Sequence, residues 1–423
     1  MRWCSAAGIE PEAISESTFT EFRDHLDDAL LRHPAATFAE LVRGWRAARR
    51  SVEGWPRVDF TLPDQRDHWT LPWSAFPASL REDCSAWLNR LAGRDLLEDA
   101  PFRPVRPGTL ERREWQLRAF ATALVSRRRD PTTITGLKDL VEIEAYKEGL
   151  RFFLERSGGE PTTAIVDLAR MLKAIARHDL KLDQHYLDRM ATKRLSIGRR
   201  GQTEKNRARL RPFDDPANVI ALLRLPNKLM GIASRNRNPR AGALQAQIAV
   251  AIEILTVAPI RLGNLANLDL EQNLVRPGRG KQRHIFFQAS EVKNREPLEY
   301  ALPLESVELI ERYLTEFRPR LASPNCTALF PGRWGGPKAA QTLRVQIYQT
   351  IRSHTGLEMN PHLFRHAVAK IYLDAQPGNY GVVQRTLGHL SMNTTKIYYS
   401  GCETAAAVRH FDHTILKLRE NGR

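Results

Sequence analysis

Between Asn360 and Gly401 the chain reads NPHLFRHAVAKIYLDAQPGNYGVVQRTLGHLSMNTTKIYYSG, with His-x-x-Arg-His, then Gly-His, then Thr-Thr and two tyrosines. Imidazoles and a guanidinium ahead of a phenol are the parts needed to move a phosphodiester onto a phenolic oxygen. That transfer requires a nucleophile stripped of its proton, two neutralised non-bridging oxygens, a protonated leaving oxygen and an in-line arrangement. An unperturbed tyrosine titrates near pH 10, so roughly one phenol in a thousand is ionised at pH 7, a cost of about 4 kcal/mol. Cationic neighbours lower that cost and stabilise the crowded pentavalent phosphorus.

The elements that must position these groups are legible nearby. Asn360-Pro361 reads as a cap and first-turn proline. His362 and Arg365 then share one helical face, with Phe364, Val368 and Ile371 on the core-facing stripe. A helix start bearing Arg and His is an anion site. Tyr380 to Leu387 reads as a helix capped by Gly388, whose turn presents His389. Ser391 to Thr395 starts a further helix that delivers Tyr398. Taken singly these signals are weak: His-x-x-Arg recurs by chance in an Arg-rich chain, and Gly-His is an ordinary helix end.

The 423 residues predict two or three domains. A net charge of +16, from 64 Lys and Arg against 48 Asp and Glu, points to a polyanionic partner, most simply nucleic acid. The four scattered cysteines exclude a zinc finger or disulfide framework and fit a reducing cytoplasm. Glu10 and Glu12 argue against a signal peptide. The most apolar run, Ile248 to Ile260, is short and holds Glu253, so no membrane partner is expected.

Residues 1–76 read as a helical extension (Phe19 to Leu31, Thr37 to Arg50), ending in a strap from Val52 to Phe76 that carries Trp55, Trp69 and Trp73. Residues 77–195 read as a unit of amphipathic helices, at Ser79 to Leu91, Thr109 to Val125, Ile143 to Glu155, Thr162 to Arg177 and His185 to Leu195. Leu117, Phe120, Ala121 and Leu124 give the second of these a buried stripe, leaving Arg112, Arg113 and Arg118 for phosphates or solvent. Residues 196–211 form a basic linker in which Arg199, Arg200, Lys205 and Arg207 are further candidates to track a phosphate backbone. Residues 212–423 read as a mainly helical domain containing a β-hairpin, HIFFQ (His284 to Gln288) paired with LEYALP (Leu298 to Pro303).

The C-terminal half resembles the tyrosine recombinase (phage integrase) family. That family has an Arg at a helix start after a short apolar run, and TVAPIRLGNLANLDL supplies Arg261. Its hairpin lysine matches Lys293; the rival Lys281 precedes the first strand. Its His-x-x-Arg box is similar to His362 and Arg365, and its Leu-Gly-His box to Leu387-Gly388-His389. Its nucleophile, nine residues further on, selects Tyr398. Tyr399 is the adjacent rival, but one residue rotates a side chain by about 100°, so only one hydroxyl can be in line. Phe364 departs from the usual Leu before the box arginine.

The resemblance implies an α+β catalytic domain joined to a helical core-binding domain, closing as a C-shaped clamp on double-stranded DNA. It implies attack by Tyr398 to give a 3′-phosphotyrosyl bond, clamping by Arg261 and Arg365, leaving-group protonation by Lys293, proton movement by His362 and a phosphate contact from His389. No metal or cofactor is implied. A homotetramer on two DNA sites, helped by an accessory or directionality protein, is the implied assembly in the cytoplasm or nucleoid. Ala406, Val408, Phe411 and Ile415 in the tail are available to pack on a neighbour or on their own domain. A type IB-like topoisomerase and a non-catalytic DNA-binding regulator are the rival readings.

Overall fold

The computed structural model describes residues 2–28, 34–56, 58, 69–93, 104–191, 195, 203–278, 280, 282–333, 335–399, 408, 411–412, 415–417 and 419. They fall into two compact units, one made of Met1–Leu62 with Arg200–Arg423, the other of Pro63–Arg199. The fold is mainly helical with one small antiparallel sheet, as the sequence pattern predicts.

In the Pro63–Arg199 unit, helices Ala78–Leu91, Pro107–Ser126, Ile143–Arg156 and Thr163–Ala174 enclose one core. Leu117, Phe120, Ala121 and Leu124 are all fully buried there, so the period of 3.6 identified the inner face correctly. Two helices end earlier than their periodicity suggests. Thr163–Ala174 opens into a wider turn, Ile175–Asp179, and the next helix, Gln184–Arg189, stops with Met190 buried just beyond it. The strap tryptophan Trp69 packs against Phe152 and Phe153, with the Arg156 guanidinium 4.9 Å above its ring. Leu71, Trp73 and Phe76 join the same core. Residues 69–76 thus belong with this unit rather than with the helices before them.

Those earlier helices, Glu16–Asp28 and Pro34–Ser51, pack on each other through Phe19, Phe38, Val42 and Trp45. Trp45 Nε1 donates to the Val58 carbonyl at 3.0 Å. The basic stretch becomes helical at Glu204–Leu210, and Leu210 and Phe213 enter the core of the C-terminal half. From residue 203 onward the expected linker is therefore part of the fold; Arg199 and Arg200 lie outside the described residues.

That core is built on α1 (Pro216–Arg235) and α2 (Pro239–Val257). By length and composition α2 is apolar enough to cross a membrane, yet most of its side chains are buried in protein. Around it stand α3 (Leu262–Ala266), α4 (Leu304–Arg312), α5 (Ala340–Thr355), α6 (Pro361–Ala375), α7 (Tyr380–Leu387) and α8 (Met392–Tyr399). The sheet orders β1 (Leu274–Val275), β2 (His284–Phe287) and β3 (Leu298–Ala301) side by side, with Ile285 opposite Tyr300. Alternation sends Ile285, Phe287 and Tyr300 into the core. Val408, Phe411 and Ile415 of the tail are exposed, and Ala406 lies outside the described residues.

Candidate active site

Two helix ends and one hairpin assemble the site. Asn360 caps α6, its side chain accepting from the amides of His362 and Leu363 at 3.1 Å each, and Pro361 supplies the pre-set first turn. α7 ends at Gly388, whose φ of +59° is a left-handed conformation. A Cβ there would lie 2.7 Å from a methyl of Leu298, so glycine alone lets β3 pack under this turn. Tyr300 ties the same strand to α7, its hydroxyl donating to the Thr386 carbonyl at 2.8 Å.

Arg365 is the hub. It is 6% exposed, more deeply buried than a residue sharing a face with exposed His362 would suggest. Its Nη1 donates to the Pro259 carbonyl at 2.6 Å and its Nη2 to the Leu387 carbonyl at 2.5 Å. One planar group thereby joins the segment that leads into Arg261 to the segment that leads into His389. A guanidinium carries five N–H groups, so this bridging leaves donors for an anion.

Arg261 and two imidazoles feel the charge of Arg365. Burial holds the Arg365 pKa below its ordinary value, and repulsion from Arg261 adds to this. His389 is pushed down to about 4, by burial first, then by Arg365 and Arg261. His362 is lowered in the same order, its ring crowded on one side by that of His366, 5.5 Å away, while its outer edge stays exposed. Arg261 and Arg365 are thus near enough to both His362 and His389 for their charges to hold the two imidazoles toward the neutral form. Like charges held together in a partly buried site are unfavourable until an anion enters, which is the polarity a phosphate requires. His389 is oriented by its Nδ1 contact with Thr395 Oγ1 at 3.0 Å, where Thr395 is fully buried.

The two tyrosines separate clearly. Tyr399 is 1% exposed, and its ring stacks on His389 at 6.3 Å between centroids. Its hydroxyl donates to the backbone carbonyl of Arg365 at 3.5 Å. Tyr398 is only half-buried, with its ring 6.0 Å from that of His366. Lys293 is exposed on the turn between β2 and β3, and Lys281 lies outside the described residues.

Of the remaining basic candidates, Arg112 pairs with Asp167 at 3.5 Å, Arg113 donates to Gln116 at 3.0 Å, and Arg118 is half-buried on the same helix. Arg207 lies 3.8 Å from Glu204. Lys205 lines a cavity of about 700 Å³ with Arg209, Arg344, Tyr348 and Arg352, reaching Asn360 at the start of α6. Arg209 was not apparent beside Arg344 and Arg352, because it stands on the helix Glu204–Leu210, more than 130 residues before the helix that carries the other two. Asn294 and His366 were missed as well. His366 stands four residues after His362 and so on its face of α6, and Asn294 directly follows the hairpin lysine.

The phage integrase family profile matches residues 227–403. The tyrosine recombinase XerD of Proteus mirabilis is 26% identical over 245 residues, covering 55% of this chain and 74% of that one. XerD of Vibrio cholerae is 26% identical over 291 residues, covering 60% and 90%. Residues 227–403 thus match the phage integrase family, and the chain is similar to tyrosine recombinases. This family catalyses DNA breaking and rejoining, and the matched span holds Arg261, Lys293, His362, Arg365, His389 and Tyr398. The chemistry anticipated for the site and the activity of this recombinase family are thus the same.

Proposed function

We propose that this recombinase is site-specific and acts through Tyr398, whose phenolic oxygen attacks the scissile phosphate to give a 3′-phosphotyrosyl bond and a free 5′-hydroxyl. The observation that supports the reading is the Arg365 bridge between the Pro259 and Leu387 carbonyls, each two residues before Arg261 and His389 respectively. Arg261 and Arg365 clamp the non-bridging oxygens, and Lys293 protonates the leaving 5′-oxygen. His389, kept neutral and oriented by Thr395, hydrogen-bonds the phosphate, while His362 assists the tyrosine proton. The phosphodiester's energy is retained in the covalent bond, so rejoining by the 5′-hydroxyl needs no other reactant. Double-stranded DNA is the substrate, and the cavity lined by Lys205, Arg209, Arg344 and Arg352 offers cations to its backbone.

Exchange of strands between two duplexes requires four cleavages, so the working assembly is a homotetramer on two sites. The exposed Val408, Phe411 and Ile415 support docking of the tail on a neighbouring protomer. A chain ending at Ser400 that still assembled on paired sites would remove that role. Because the matching profile is that of phage integrases, a mobile element is the proposed carrier, with an accessory or directionality protein as a further partner. The helical unit of residues 77–195, which precedes the basic stretch at 196–211 and the catalytic residues 212–423, supplies a further DNA-binding surface.

The test is plasmid recombination. The DNA flanking the gene is sequenced for direct repeats, and two copies of a repeat found there, placed on one supercoiled plasmid, are expected to yield excised circles. Relaxation of a plasmid lacking the repeat, with no excision from the repeat plasmid, would favour the topoisomerase reading instead.

A further inference from the structure

The hairpin that carries Lys293 is fixed to the rest of the site through the residue beside the lysine. Arg295 N donates to the Val292 carbonyl at 2.9 Å, closing a turn in which Lys293 and Asn294 are the two central residues. Val292, at the start of that turn, is buried in the core. At its other side the Asn294 carboxamide makes two contacts. Oδ1 accepts from Arg261 Nη2 at 3.3 Å, and Nδ2 donates to the Gly388 carbonyl at 2.6 Å. A single amide thus connects a phosphate-clamping arginine, the turn that presents His389 and the turn that presents the lysine. Its donor and acceptor ends are each matched to a partner of the opposite kind, which a carboxylate or hydrocarbon side chain cannot reproduce.

Lys293 itself is exposed, with a flexible stem, so its aim depends on where the turn is anchored. We propose that Asn294 is the positioning residue for Lys293: its bridge from Gly388 to Arg261 holds the hairpin turn so that the ammonium meets the leaving 5′-oxygen. The inference rests on the proposed role of Lys293 as the group that protonates that oxygen. Asn294 acts through its neighbours and does not touch the reacting atoms. A displacement of about 1 Å at a reacting group can cost on the order of a hundredfold in rate, so an anchor of this kind registers in the chemical step.

The test uses nicked duplexes that trap the covalent adduct, chosen from a randomised pool as the sequence on which the full-length wild-type chain reacts fastest. The same duplex is then made with sulfur in place of the bridging 5′-oxygen. A thiolate departs without a proton, so a defect in protonating the leaving group disappears on the sulfur substrate, whereas a defect in clamping the phosphate persists. Asn294→Ala is expected to form adduct at least tenfold more slowly than wild type on the oxygen substrate and within about threefold of it on the sulfur substrate. Lys293→Ala should show the same pattern, while Arg261→Ala stays slow on both. Asn294→Asp, which keeps an acceptor for Arg261 and loses the donor to Gly388, should behave like Asn294→Ala and guards against a folding defect in the alanine variant.

Wild-type rates for both Asn294 variants on oxygen, or equal slowing on both substrates, would overturn the assignment. If Lys293→Ala also failed to recover on sulfur, the role given to the lysine would fall. If Lys293→Ala recovered and the Asn294 variants did not, only the role given to Asn294 would.

Discussion

Arg365 Nη2 donates to the backbone carbonyl of Leu387, 22 residues further along the chain, at 2.5 Å. The partner contact to Pro259 spans 106 residues, and together the two hold separate catalytic segments against one guanidinium. The side chain proposed to clamp the phosphate is therefore also a structural tie.

Arg365→Lys retains the charge but cannot bridge two carbonyls with a single ammonium. Adduct formation should fall by on the order of 10² or more. Thermal unfolding should report a loss of about 1–3 kcal/mol from the carbonyl left unpaired. A lysine variant with unchanged stability and activity would show that the bridge is dispensable.

Tyr399→Phe removes one long hydrogen bond and keeps the buried ring against His389. Stability should change by about 1 kcal/mol or less and adduct formation should persist. Tyr399→Ala, by contrast, opens a cavity and should cost roughly 3–5 kcal/mol, read from urea unfolding. Equal effects of the two variants would contradict this division.

His366 is buried with its Nδ1 atom lacking a hydrogen-bond partner, and its pKa is pushed down to about 4. Burial is the largest cause, followed by His362, Arg365 and His389. Because the folded pKa lies below the ordinary 6.5, the unfolded chain takes up its proton first as pH falls. Stability is therefore retained above about pH 6.5 and lost progressively toward pH 4, by on the order of 3 kcal/mol over the whole window. Urea unfolding at stepped pH should show a shallower decline in His366→Phe than in wild type. Parallel declines would assign the acid sensitivity to other groups.

Gly388→Ala forces a left-handed conformation on alanine and drives its Cβ against Leu298. A loss of roughly 1–2 kcal/mol is expected from the backbone alone. Adduct formation should fall further than stability does, because His389 moves with the turn. Melting curves beside adduct rates test this, and wild-type behaviour in both would show that the turn tolerates a side chain.

Much of this site could be read in the sequence because its helix ends are written locally. Asn360-Pro361 and Leu387-Gly388 specify a cap and a left-handed stop within two residues each, and the structure realises both. The apolar alternation of HIFFQ and LEYALP likewise gave the hairpin. What escaped were pairings that no local period encodes. Asn294 meets partners 33 and 94 residues away, and the burial of Arg365 depends on carbonyls from two distant segments. Which part of the strap joined which unit depended on which core offered cover to Trp69, Leu71 and Phe76, information that composition does not hold.

The most direct measurement is covalent trapping on a nicked duplex with wild-type, Tyr398→Phe and Tyr399→Phe chains, followed by peptide mapping of the DNA-linked residue. The account predicts an adduct at residue 398 in the wild type, none in Tyr398→Phe, and a retained adduct in Tyr399→Phe. An adduct that survives Tyr398→Phe, or disappears only in Tyr399→Phe, would contradict it.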